Sequence, residues 1–164
     1  MTERYDLHIH SNISDGTQPL TELVPLIRDA GLAGFALTDH DTARGWPQAA
    51  ELAGEYGLDF LPGGEFSCRY SYRDEQGHER TKSVHLLGYG YDPDYPQLRD
   101  EMKRLLDDRL SRARRMADRL AADYPLTWDD VLAQSSDGEN TVFGRPHLAD
   151  ALVAVGAAEN RANA

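Results

Sequence analysis

The stretch Tyr5-Asp6-Leu7-His8-Ile9-His10, followed by Ser11-Asn12-Ile13-Ser14-Asp15-Gly16, decides how this chain is read. The first six residues alternate in character and the next six are turn formers, so a short strand runs into a loop. A helix follows: Leu20, Leu23, Val24, Ile27 and Ala30 recur at helical spacing and Gly31 closes the segment, with Pro25 either in the first turn or kinking it. The unit then repeats. Gly34-Phe35-Ala36-Leu37-Thr38 is a compact apolar run ending in Asp39-His40-Asp41, and Pro47 to Tyr56 is a helical stretch stopped by Gly57. Asp59-Phe60-Leu61-Pro62 then leads into Gly63-Gly64-Glu65. Strand, helix, strand, helix, strand predicts an α/β fold with a parallel sheet and right-handed crossovers.

Beyond this core, Ser67 to Tyr72 and Ser83 to Tyr89 are strand-like and flank the polar tip Arg73 to Arg80, the pattern of a hairpin. After Pro96 the character changes. Leu98, Met102, Leu105, Ala113, Met116 and Leu120 form one helical stripe through a long charged segment that ends near Tyr124-Pro125. Thr127 can cap a short helix through Ala133, and Gly144-Arg145-Pro146-His147 leads into a last helical run through Val155. The expected organisation is an α/β part over residues 1–96 and a helical subdomain over 97–164.

Composition narrows the function. The 164 residues carry 17 Lys plus Arg against 28 Asp plus Glu, a net charge of −11, with 40% hydrophobic and 27% charged residues. That is one globular domain's worth of chain. The acidic balance argues against a passive nucleic-acid surface, which needs clustered Lys and Arg, but not against phosphate chemistry conducted through bound cations. The lone Cys68 allows neither an internal disulfide nor a Cys-rich zinc site, so a metal would have to use His and carboxylate ligands. No apolar run reaches the ~18 residues of a membrane span, and Met1 to Asp6 show no basic start with an apolar run behind it. The expected compartment is the cytoplasm.

His8 and His10 are two apart on a predicted strand, so both imidazoles project from one face and can grip one cation. Such a pair alone is also what packed or surface histidines look like; accumulation changes the weighing. Asp15 follows His10 by five, His40 follows the second strand, Glu65 follows the third, and His85 lies in the strand after the hairpin. All are expected at or just past strand C-terminal ends, where parallel α/β folds collect ligands. Imidazole with carboxylate suits manganese, iron or zinc, and a bridging carboxylate would make the centre multinuclear.

Asp6-Leu7-His8-Ile9-His10-Ser11 with Ser14-Asp15-Gly16, then Thr38-Asp39-His40-Asp41, Gly64-Glu65-Phe66-Ser67 and His85-Leu86-Leu87-Gly88-Tyr89, resemble the successive motifs of the polymerase and histidinol phosphatase (PHP) family. Gly144-Arg145-Pro146-His147-Leu148-Ala149 extends the resemblance toward its branch of small bacterial phosphoesterases, which remove phosphate from nucleoside 3′,5′-bisphosphates and trim short RNA from its 5′ end. The resemblance implies a distorted (β/α)7 TIM-like barrel, of which this chain holds the first half, with a helical insertion. It further implies two or three divalent metal ions. His8, His10 and Glu65 would hold one, Asp15 and His40 another, and His85 beside Glu65 a third, with Asp15, His40 and Glu65 at the reacting centre. The substrate would be a small phosphorylated molecule, a nucleotide or short RNA, hydrolysed in line by metal-activated water. The family's later histidine and terminal Asp-x-His pair have no counterpart here. That leaves a fragment, a site completed by another chain, or a degenerate relative, and an incomplete barrel would be expected to self-associate through open sheet edges. Rival readings are a histidinol phosphatase-like enzyme on the same centre and a truncated, non-catalytic module.

Several residues have a plain reading beside a functional one. Arg145 precedes a helix and could meet a substrate phosphate, or could tie the helical part to the barrel. His147 reads as a packed or phosphate-proximal histidine. Asp39 and Asp41 could orient imidazoles, or simply cap and turn the loop. Arg99, Lys103, Arg104, Arg109, Arg112, Arg114, Arg115 and Arg119 make the long helix locally basic. They read as a solvated face laced by acid and base neighbours, with guidance of RNA or nucleotide as the alternative. His78 reads as a solvated tip residue, Cys68 as a small buried side chain, and Tyr89 and Tyr91 as packing or rim residues.

Overall fold

In the computed structural model, which describes residues 3–164, β1 (Tyr5–Ile9), α1 (Leu20–Asp29), β2 (Gly34–Leu37), α2 (Trp46–Tyr56) and β3 (Asp59–Arg73) build the expected strand–helix alternation. The four-stranded sheet has the order β1-β2-β3-β4, with β4 spanning Glu79–Tyr89. β1 and β2 pair in parallel, as do β2 and the first residues of β3, Gly34 to Asp59 through Leu37 to Pro62. Leu20, Val24 and Ile27 recur along one face of α1 and are buried against Phe35 and Leu37 of β2 and Ala49 and Ala53 of α2. Pro25 lies in the second turn of α1, where its missing N–H leaves the Thr21 carbonyl without its usual helical donor.

β3 departs from the sequence expectation. The stretch from Asp59 to Pro62 and the strand-like run from Ser67 to Tyr72, separate in the sequence reading, are one strand whose backbone stays extended for 15 residues. Pro62 closes the parallel ladder with β2, and from Gly63 the strand pairs antiparallel with β4, through Arg73 opposite Glu79. The glycines have steric work to do here: a Cβ at Gly63 would fall 2.9 Å from the Tyr89 ring and one at Gly64 2.5 Å from the Tyr91 hydroxyl.

The rest is helical: α3 (Pro96–Leu120), α4 (Trp128–Leu132) and α5 (Arg145–Ala154). Thr127 caps α4 as its sequence position suggests, accepting from the Asp130 N–H at 3.2 Å while the Asp130 carboxylate accepts from the Thr127 N–H at 2.8 Å. Ala113 and Ala117 of α3, Val131 of α4, and Leu148, Ala151 and Leu152 of α5 bury one another around Leu126 and Phe143. Among the described residues no helix is long and apolar enough to cross a membrane.

Candidate metal centre

The loop after β1 sets the first half of the site. Gly16 turns back onto the strand, its N–H donating to the Ser11 carbonyl at 3.0 Å; a Cβ there would lie 2.4 Å from the His10 carbonyl oxygen. This fold-back brings Asp15 beside His10, with Asp15 Oδ1 3.4 Å from His10 Nδ1 and Asp15 Oδ2 3.5 Å from His40 Nε2. His40 follows β2 in a bridge with Glu65, which stands where β3 turns from its parallel to its antiparallel partner. Glu65 pairs with Leu87 and Ser67 with His85, so Glu65 and His85 are diagonal neighbours on one face of the hairpin.

Glu65 is the hub. Its Oε2 lies 2.7 Å from His8 Nε2 and 2.9 Å from His10 Nε2, and its Oε1 lies 2.5 Å from His85 Nδ1. The rings of His8, His10, His40 and His85 follow one another with centroids 5.1, 4.8 and 4.9 Å apart. Three triplets emerge, His8–His10–Glu65, His10–Asp15–His40 and His40–Glu65–His85, each offering ligand atoms within 4.8 Å of one another. His40 Nδ1 is buried with no hydrogen-bond partner among the described residues. A donor set of imidazole nitrogen and carboxylate oxygen with an unpartnered buried nitrogen in its midst fits a divalent transition metal.

Electrostatics divide the cluster. Burial pushes the Asp15 carboxyl up, but the hydrogen bond and charge of His40, followed by His10 and Arg109, bring it down to about 2. Glu65 is likewise held below its ordinary range, because His8, His85, His40 and His10 outweigh the cost of burial. Burial, reinforced by the charge of His40, depresses His10. Both carboxylates are therefore ionised and His10 is neutral near pH 7, the states that ligate metals. Burial pushes His40 down, but its hydrogen bond to Asp15 and the charges of Asp15 and Glu65 bring it above its ordinary value, so a metal at His40 must displace a proton.

Of the two readings of the residues flanking His40, the structure shows the loop-pinning one. Neither Asp39 nor Asp41 makes a direct hydrogen bond or ion pair with an imidazole, although the Ser14 hydroxyl that donates to Asp39 also lies 3.4 Å from His10 Nδ1. Asp39 accepts from the Ser11 N–H at 2.8 Å, the Ser11 hydroxyl at 2.7 Å and the Ser14 hydroxyl at 2.6 Å, which pins the β1 loop. Asp41, at a φ of 51°, accepts from the Ser67 N–H at 2.7 Å and from Arg109 Nε at 2.7 Å. Arg109 is thus not part of a solvated face: its side chain is buried, and its other nitrogens reach the Ser67 hydroxyl at 2.7 Å and the Phe143 carbonyl at 3.4 Å. It performs the tie between helical and α/β parts that was weighed for Arg145. The signal available in sequence was its place in the apolar stripe of α3, four residues before Ala113.

Other expected residues fall as follows. His85 sits in an antiparallel strand rather than at a parallel strand's end, because β3 does not stop at Pro62. His147 is buried and lines a polar pocket with Asp15, Asn12, Gln134 and Asp150; its Nδ1 accepts from the Gly144 N–H at 3.1 Å, which leaves the proton on Nε2. Arg145 is exposed and lines a different recess, beside Arg109 and Arg112. Tyr91 packs between Trp46 and Phe66, Tyr89 donates to the Leu7 carbonyl at 2.8 Å, and His78 is exposed at the hairpin tip. Cys68 is half-buried rather than buried.

A sheet of parallel α/β units with a histidine–carboxylate cluster at its mouth defines part of a TIM-like barrel with a candidate metal centre. Residues 6–112 match the PHP domain. A Haemophilus influenzae protein named 5′-3′ exoribonuclease is 34% identical over 161 residues, covering 98% of this chain and 54% of the relative. A Chromobacterium violaceum 3′,5′-nucleoside bisphosphate phosphatase is 35% identical over 156 residues, covering 94% and 51%. A solved Bifidobacterium adolescentis structure, assigned as a metal-dependent phosphoesterase, superposes with a TM-score of 0.85 at 42% identity, over 99% of this chain and 54% of that one. This chain belongs to the PHP family. It spans about half the length of the curated relatives it matches.

Proposed function

We propose that residues 1–96 form the metal-binding part of a phosphoesterase that hydrolyses a nucleotide phosphate, with residues 97–164 as its helical insertion. The observation that carries this reading is the convergence of four histidines and two carboxylates, from three strands and two loops, into triplets of ligand distance around Glu65. His8, His10 and Glu65 would hold one ion, Asp15 and His40 a second, and His85 beside Glu65 a third, so that each imidazole serves a single ion. Divalent cations in such a site neutralise phosphoryl charge and lower the pKa of the attacking water.

The chain's own residues do the rest. Asp15 and Glu65, ionised and tied to imidazoles, keep the donors oriented inward. His147 presents its Nε2–H at the pocket that Asp15 also lines, where it can donate to a phosphoryl oxygen or a ribose hydroxyl. Burial lowers its pKa, so it serves there as a neutral donor. The two curated relatives, named for a nucleoside bisphosphate and for RNA, support the nucleotide class over histidinol phosphate.

The test is elemental analysis of the gel-filtered chain beside a His8→Ala/His40→Ala variant, followed by phosphate release from nucleoside bisphosphates and histidinol phosphate. Two or three ions per chain, lost in the variant, with release from the nucleotide, are expected. One ion or none, or metal content indifferent to the substitutions, overturns the ligand assignment.

A further inference from the structure

The basic residues of α3 divide sharply by partner. Lys103 pairs with Asp107, Arg104 with Glu101 and Asp108, and Arg114 with Glu139 while lying over Trp128. Arg109 is committed to Asp41. Arg112, Arg115 and Arg119 have no ion-pair or side-chain hydrogen-bond partner among the described residues, and neither have Arg69 on β3 and Arg145. Of these, Arg69, Arg112 and Arg115 are brought together. Arg109, Arg112 and Arg115 step along one face of α3 at three-residue intervals, lining a cleft of about 650 Å³ whose opposite wall carries Ser67 and Arg69.

The crowding is electrostatically real. Arg112 is held below its ordinary pKa, by partial burial and then by the positive charges of Arg109, Arg145 and Arg115. On a chain of net charge −11, Arg69, Arg112 and Arg115 share a cleft whose one lining carboxylate, Asp108, is taken by Arg104, and such uncompensated positive charge marks a surface that meets an anion. Two residues of the cleft adjoin the metal cluster: Ser67 stands opposite His85 in the hairpin register, and Arg109 holds the Asp41 that follows His40. From Arg109 to Arg115 the helix rises about 9 Å, more than one phosphate group occupies. Guanidinium forks match phosphate and carboxylate oxygens alike, and a backbone that repeats its phosphates is the anion that can follow arginines over that reach.

We propose that this arginine cleft between α3 and the β3–β4 hairpin holds the phosphodiester backbone of a short single-stranded oligonucleotide whose terminal phosphate lies at the histidine–carboxylate cluster. The inference rests on the phosphoesterase reading above and extends it from a mononucleotide to a chain of phosphates. Arg112 and Arg115 then set how much longer than one nucleotide the preferred substrate is.

The experiment is fluorescence anisotropy of a short labelled single-stranded RNA titrated with the full chain in EDTA, over a series of salt concentrations. Chelation confines the measurement to the cleft. Arg112→Gln/Arg115→Gln should bind roughly tenfold more weakly at low salt, with a log–log salt slope shallower by about 1.4, the release expected for two single-strand phosphate contacts. Arg69→Gln alone should remove about half of that slope change. A matched charge control, Arg28→Gln/Arg73→Gln, should bind as the parent does, and thermal melts of all variants should coincide. Failure of the parent chain to bind RNA, an equal loss in the control, or equal displacement by polyglutamate would each overturn the proposal. Phosphate release from a nucleoside bisphosphate, too small to enter the cleft, reports on the metal-centre reading separately, so either can fail alone.

Discussion

The two hydrophobic clusters of this protein are built alike but joined by something unlike either. One packs α1 and α2 on β2, with Leu20, Val24, Ile27, Phe35 and Leu37 almost wholly inaccessible; the other packs α3, α4 and α5 around Val131 and Phe143. Each is apolar, local and periodic. The seam between them is polar and long-range: Arg109 on Asp41, the Arg44 guanidinium on Asp137 at 3.0 Å, the Ser136 hydroxyl on the Asn12 carbonyl at 2.7 Å. The candidate metal centre borders this seam, since Asp41 follows His40 and Ser67 faces His85. Apolar packing therefore holds each part together, while a few directional bonds set the angle at which the helical part meets the mouth.

Breaking the seam should have the largest effect. Arg109→Ala leaves the fully buried Asp41 carboxylate without its cation, and a loss of about 3–5 kcal/mol is expected by urea unfolding. The double change Arg109→Met with Asp41→Asn removes both charges, while asparagine tolerates the left-handed backbone and still accepts from the Ser67 N–H, so it should recover most of that stability while still loosening RNA binding. Full recovery of both would show that the pair has no positioning role.

The pin of the β1 loop should cost less. Ser14→Ala removes one of three donors to the buried Asp39 carboxylate, an expected loss of ~1–3 kcal/mol. Burial already holds Asp39 above its ordinary pKa against the opposing bonds of Ser11 and Ser14. A carboxyl raised on folding binds its proton more tightly in the native state, so its contribution to stability falls as pH rises from about 3.9 through the folded value. Ser14→Ala should extend that fall to higher pH, which unfolding curves at stepped pH would reveal; an unchanged pH profile would place the Ser14 bond outside the energetics of Asp39.

Smallest is a change inside the helical cluster alone. Thr127→Ala removes the cap of α4 and should cost ~1 kcal/mol, leaving metal content as it was. A drop in metal content would mean that the clusters communicate through more than the seam.

Local rules make some of this legible from residues alone. The strand–helix alternation through β3, the capping of α4 by Thr127, and the residue types of the cluster, His8, His10, Asp15, His40, Glu65 and His85, follow from periodicity, turn chemistry and motif spacing, which act over a few residues. The tertiary structure decided what depends on distant partners. It kept β3 extended across Pro62-Gly63-Gly64, because Tyr89 and Tyr91 from the far end of the hairpin occupy the room the glycines leave. It turned Arg109 inward, because Asp41, 68 residues earlier in the chain, waits there unneutralised. It also left Arg69, Arg112 and Arg115 facing one another. Charge and hydrogen bonding gain their strength where water is excluded, and which groups are excluded together is settled only when separate elements pack.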